Sequence, residues 1–180
     1  MIDYSVRGQE FLVSIDKVPV LHHSPKHPCL AVGNGSQEVR ARSGFFRIKR
    51  TNARKQWLKT ISARQDHDSL EIDFSSCIRM RLDFSSGNAV TIAFCILEGN
   101  WNHIWLRFPA EPSEQIFGCG EQFTCLDLKG RKFPVWISEP GVGRNCSLFS
   151  LGAMLVTRHI FRWHHTYFAL PAWVSTSGRY

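Results

Sequence analysis

Four carboxylates, Glu114, Glu121, Asp127 and Glu139, fall in one stretch that ends at Arg144 and also carries Arg131 and Lys132. Two carboxyl groups at a suitable separation can divide the roles of acid and nucleophile in hydrolysis of a glycosidic bond. Carboxylates beside arginines also cap turns and form ion pairs, and spacing within an irregular loop leaves both readings open. The same stretch holds Gly118, Gly120, Gly141 and Gly143 in two Gly-x-Gly pairs. That arrangement serves a backbone that must adopt positive φ or admit a close neighbour.

Other chemistry has weaker support. His22, His23, His27, His159, His164 and His165 form no His-Glu-x-x-His pattern and have no acidic neighbours to complete a site, so no metal and no cofactor is expected. Gly118-Cys119-Gly120 is too short for a dinucleotide fingerprint and precedes no helical pattern. The six cysteines lack Cys-x-x-Cys or zinc spacing, and free buried thiols in a reducing compartment are the expectation. The six tryptophans, among them Trp101, Trp105, Trp136, Trp163 and Trp173, suit sugar rings as well as core packing.

The formal charge of +7 is concentrated: Arg40 to Arg64 holds nine Lys or Arg and no acid, and the rest of the chain has 13 basic against 15 acidic residues. Such a segment can meet a polyanion. Around Phe46 and Ile48, however, Arg40, Arg42, Arg47 and Lys49 alternate with apolar residues as the wet face of a strand would. Binding to nucleic acid is not the expected role.

The elements that must position these groups are strands. Leu70, Ile72 and Phe74 oppose Glu71 and Asp73; Ile78, Met80, Leu82 and Phe84 oppose Arg79, Arg81 and Asp83, with Ser75-Ser76 between the two runs. Val90, Ile92, Phe94 and Ile96 follow one turn later, and Ile104, Leu106 and Phe108 follow Gly99-Asn100, giving an antiparallel meander. Phe11 to Val20 and Val39 to Lys49 read as earlier strands, separated by a Pro/His-containing loop and the turn Gly33 to Ser36. With no long apolar stripe at helical spacing, the expected class is an all-β antiparallel β-sandwich. Pro109, Pro112, Pro134, Pro140 and Pro171 mark a second half dominated by loops.

A chain of 180 residues with 43% hydrophobic and 21% charged content suits one globular domain. Residues 1 to 20 lack the uninterrupted apolar centre of a secretory signal, so the cytoplasm is the default location. Leu148 to Val156 is too short to span a bilayer, and no membrane role is expected.

Phe117-Gly-Cys-Gly-Glu-Gln-Phe123, Leu126-Asp-Leu-Lys-Gly-Arg131 and Trp136-Ile-Ser-Glu-Pro-Gly-Val-Gly-Arg144 closely resemble glycoside hydrolase family 31, in its sulfoquinovosidase and α-glucosidase branch. Tyr167-Phe-Ala-Leu-Pro171 and Val174-Ser-Thr-Ser177 extend the resemblance. Pro140, Cys125 and the whole of Ser147 to Arg162 depart from it.

The resemblance implies an N-terminal, galactose-mutarotase-like β-sandwich over residues 1–180, divergent at about 147–162, of the kind that precedes a (β/α)₈ barrel. It implies a retaining α-glycosidase whose two catalytic aspartates lie on that barrel. A barrel takes roughly 250 residues, and none follow Tyr180 in this sequence, so a truncated chain without catalytic residues of its own is expected. Its carbohydrate partner, an α-glycoside, would then be met through the barrel. Glu139, Gly141, Gly143 and Arg144 are the implied pocket-side or interface residues, with Glu121, Gln122, Arg131 and Trp136 supporting them. A stand-alone sugar-binding or interaction module is the alternative, followed by polyanion binding through Arg40–Arg64.

Overall fold

Leu70, Ile72 and Phe74 are buried on one face of a strand whose Glu71 and Asp73 stay half-exposed, and the next strand repeats the pattern with Ile78, Met80 and Leu82. This period of two, with one face dry, fixes register, because a slip by one residue would exchange the faces. The computed structural model describes residues 2–42, 45–51, 54–85, 89–121, 125–138, 152, 155 and 163–180. The described residues form fourteen strands in antiparallel sheets. They are β1 (Ile2–Arg7), β2 (Glu10–Ile15), β3 (Val18–His23), β4 (Leu30–Gly33), β5 (Ser36–Arg42), β6 (Phe45–Thr51) and β7 (Gln56–Trp57). The others are β8 (Thr60–Asp66), β9 (Ser69–Phe74), β10 (Ile78–Asp83), β11 (Thr91–Ile96), β12 (His103–Leu106), β13 (Ile116–Gly118) and β14 (Trp173–Ser175).

By its contacts the chain falls into two compact units, residues 1–37 with 50–110 and residues 38–49 with 111–180. The first contains a sheet in the order β1-β2-β3, the meander β11-β10-β9-β8 and a third sheet, β12-β4-β7. Their inner faces meet in one core: Phe11, Val13 and Leu21 from the first sheet, Leu70, Ile72, Phe74, Met80 and Leu82 from the meander, and Leu30 and Val32 from β4. Sheets packed face to face in this way make a β-sandwich. The second unit holds the pair β13-β14 and most of the hairpin β5-β6.

Four sequence expectations need correction. Phe11 to Val20 is not one strand: Asp16 and Lys17 have φ of 49° and 69° and turn the chain between β2 and β3. This is the doubly left-handed geometry that suits the twist of a two-residue hairpin. Val39 to Lys49 likewise spans two strands, β5 and β6. In β11 and β12, Phe94, Ile96 and Ile104 are exposed, whereas Val90, Ile92 and Leu106 pack against the core. The outer end of β11 lies at the edge of its sheet, where alternation no longer reports burial. Of the thiols, Cys29 is buried, but Cys95 is exposed and Cys77 and Cys125 are half-buried.

One core residue gives the first unit a pH dependence. His23 is fully buried, stacked on Phe11 at 5.4 Å and meeting Phe74 edge-on at 5.3 Å. The Cys29 amide donates to its Nδ1 at 3.3 Å, so the ring proton sits on Nε2, which has no partner. Burial, with a smaller effect from His22, holds its pKa below the ordinary 6.5 and keeps it neutral. Burial also pushes the Cys29 thiol up to about 12. With the folded pKa of His23 depressed, the unfolded chain binds the proton first. Stability is full above pH 6.5 and falls as the pH drops from there toward the folded value. Urea titrations between pH 7.5 and 5 should show this slope, and His23→Leu should flatten it; an unchanged slope in the variant would exclude His23 as the cause.

Candidate functional site

The second unit carries most of the residues singled out in the sequence. β13 and β14 pair with Ile116 opposite Ser175 and Gly118 opposite Trp173. From the last residue of β13 the chain runs through three successive positive-φ residues, Gly118 (111°), Cys119 (59°) and Gly120 (91°). This run lies against the segment leading into β14: Cys119 N donates to Ala172 O at 2.7 Å and Glu121 N to Phe168 O at 2.9 Å. A Cβ on Gly118 would come within 2.8 Å of Ala172 O, so glycine is required by space as well as by φ.

Two carboxylates of this unit, Glu114 and Asp127, are bound into its local structure. Glu114 is buried against Arg179, whose Nε donates to Oε1 at 3.0 Å while Nη2 reaches Oε2. The Glu111 amide adds a bond to Oε2 at 3.1 Å. Hydrogen bonding from Arg179 outweighs burial and holds the carboxyl at about 2. Asp127 Oδ1 accepts from Lys129 N at 3.0 Å and Ile116 N at 3.1 Å, and these amides hold its pKa below the ordinary carboxylate range. A glycosidase acid needs a raised pKa so that it still carries its proton near neutrality. Glu114 and Asp127 are both shifted the other way, which favours the capping and pairing reading of these two groups.

Arg131 closes the turn that follows Asp127: its amide donates to Leu128 O at 3.1 Å and its Nε to Asp127 O at 3.2 Å. Its guanidinium lies 5.3 Å over the Trp163 ring, which meets Phe133 edge-on at 5.1 Å. Trp136 is half-buried, and Ser138, two residues on, is buried and tied by its amide to Thr166 O at 3.0 Å. Glu121 is exposed, and among the described residues no ion pair joins it to Arg131. Gln122, Glu139, Gly141, Gly143 and Arg144 lie outside the described residues. Arg179, the partner that settles Glu114, has no sequence signal, because 65 residues separate the two. Among the described residues, no three His, Cys, Asp or Glu come together as metal ligands, and no helix is long and apolar enough to cross a membrane.

No protein-family model matches the chain. The sulfoquinovosidase of Escherichia coli K12 is 36% identical over 178 residues, covering 96% of this chain and 26% of that protein. The sulfoquinovosidase of Agrobacterium fabrum is 34% identical over 135 residues, covering 75% of this chain and 20% of the relative. Among solved structures, a GH31 family sulfoquinovosidase from E. rectale, in complex with the aza-sugar inhibitor IFGSQ, superposes with a TM-score of 0.87 at 29% identity. That match covers 97% of this chain and 26% of the other. The chain thus spans about a quarter of the length of these relatives.

An all-β antiparallel chain with this likeness along nearly its whole length falls among the glycoside hydrolases. It belongs to glycoside hydrolase family 31, and the sulfoquinovosidases named above are relatives within that family.

Proposed function

We propose that this chain is the β-sandwich domain that supports carbohydrate recognition in a family 31 α-glycosidase of the sulfoquinovosidase type, and that it hydrolyses no glycoside by itself. The observation that carries the reading is the pairing of a match along 96% of this chain with coverage of 26% of the relative. Glu114 and Asp127, bound up in an ion pair and a turn, agree with it. On this reading the nucleophile and the acid/base belong to a (β/α)₈ barrel that follows the sandwich, and the α-glycoside binds there. Glu139, Gly141, Gly143 and Arg144 are then the pocket-side or interface residues, with Glu121, Gln122, Arg131 and Trp136 supporting them. Leu126, Tyr167, Phe168, Leu170 and Val174 are exposed on the second unit, and they supply apolar surface for packing against such a barrel.

Calorimetric titration of the chain with neutral α-glucosides tests the supporting role. A scaffold whose sugar-binding groups lie mostly on the barrel gives no saturable heat. Saturable heat would replace this reading with that of a stand-alone sugar-binding module.

A further inference from the structure

The outer face of the sheet β12-β4-β7 carries two tryptophans in one cross-strand row, Trp105 and Trp57, on either side of Ala31. Gly33 makes room for Trp105, since a Cβ there would stand 2.9 Å from its ring. Lys55 Nζ lies 5.0 Å from the centre of Trp105 and 5.8 Å from that of Trp57. The Arg107 guanidinium covers Trp57 at 3.7 Å, and His103 stacks on Trp105 at 5.7 Å and 18°. The result is a ladder in which the imidazole of His103, the indole of Trp105, Lys55, the indole of Trp57 and Arg107 follow one another.

We propose that this ladder binds an acidic saccharide, one that carries sulfate groups. Lys55 and Arg107 are exposed, and none of the ion pairs formed among the described residues uses them. A cation over an indole has no counter-charge beside it, whereas one paired with a carboxylate has its field largely offset. Its side chain is also already ordered, so less rotamer freedom is lost when an anion arrives. The rings decide between classes of polyanion. Each indole already has two stacked or cationic neighbours, so little open ring is left for a nucleobase, whose binding depends on stacking. Fixed cations remain for sulfate oxygens.

The proposal rests on the carbohydrate reading above, yet uses residues of the other unit, so each can fail alone. The test is a titration followed by tryptophan fluorescence, with a heparin-type sulfated oligosaccharide, a neutral maltooligosaccharide of the same length and an oligothymidylate. The sulfated sugar should give a saturable change and the neutral one none. Lys55→Gln/Arg107→Gln should weaken the response roughly tenfold or more, while Arg64→Gln, on β8, leaves it near wild type. A thermal midpoint close to wild type confirms that the double variant is folded. If that midpoint falls, Lys55→Gln alone replaces the pair, with weaker binding again expected. No response to the sulfated sugar, equal affinity in the variants, or tighter binding of the oligothymidylate would overturn the proposal.

Discussion

Removing either partner of the Glu114–Arg179 pair should destabilise the chain by about 3–5 kcal/mol, the range typical when one member of a buried ion pair is deleted. Glu114 is 3% and Arg179 9% exposed, so the survivor would be left charged in a place that water barely reaches. Glu114→Gln leaves the guanidinium without its counter-charge, and Arg179→Ala leaves the carboxylate without it. The bridge also joins the start of β13 to the residues after β14, where Ser175 N donates to Arg179 O at 2.8 Å. Both variants should therefore loosen the β13-β14 pair. The pH dependence follows from the sign of the shift. The folded carboxyl is held at about 2 against an ordinary 4.5, so its contribution is complete above pH 4.5 and is lost as the pH falls toward 2. That difference corresponds to ~3 kcal/mol at neutral pH. Denaturant unfolding of wild type and Glu114→Gln from pH 7 to 2 checks both points: the curves should converge in acid. A loss below about 1 kcal/mol at pH 7 would mean that the pair is exposed in solution and behaves like a surface ion pair.

The second large effect is expected at Gly120. Its φ of 91° is strained for any L side chain, and an added Cβ would collide with Phe168 O and lie 2.9 Å from Ala169 Cα. Both obstacles are backbone, and Phe168 O is held in place by the Glu121 amide at 2.9 Å. Relief would require breaking that bond or moving the segment before β14. Gly120→Ala should cost about 3 kcal/mol or more, as strain and a steric clash add. Gly130 is the control: its φ is 72°, but a Cβ there meets nothing within 4 Å, so Gly130→Ala should cost only about 1 kcal/mol, the price of the left-handed backbone. Melting both variants by circular dichroism separates the clash from the φ penalty. Equal losses would show that the approach of residues 168–172 to Gly120 is not tight.

These two sites differ in how far the sequence announced them. The Gly-x-Gly pair at 118 and 120 was legible, because glycine is the residue type that positive φ and close backbone approach both demand. The meander β8 to β11 was largely legible too, since one dry face imposes alternation on Leu70, Ile72, Phe74, Met80 and Leu82. Hairpins turned by Asp16-Lys17 lacked any glycine or asparagine signal, and so β2 and β3 merged into one strand in the sequence. Edge position misled in β11, where Phe94 and Ile96 lie on the same face as buried Met80 and Ile78 yet stay exposed at the rim of the sheet. Arg179 and the ladder of Trp57, Trp105 and Arg107 come together only through long-range pairing, which no local pattern encodes. Of the loop residues carried over from family resemblance, Glu121, Arg131 and Trp136 fall within the described structure, and Gln122, Glu139, Gly141, Gly143 and Arg144 do not.

The central claim is that the chain shapes a pocket without performing its chemistry. The most direct test is turnover of chromogenic α-glucoside and α-sulfoquinovoside substrates by the purified chain at high concentration, alongside Glu121→Gln, Asp127→Asn and Glu139→Gln. The account predicts release indistinguishable from buffer for all four proteins. Turnover by the wild-type chain that disappears in any one of the carboxylate variants would contradict it.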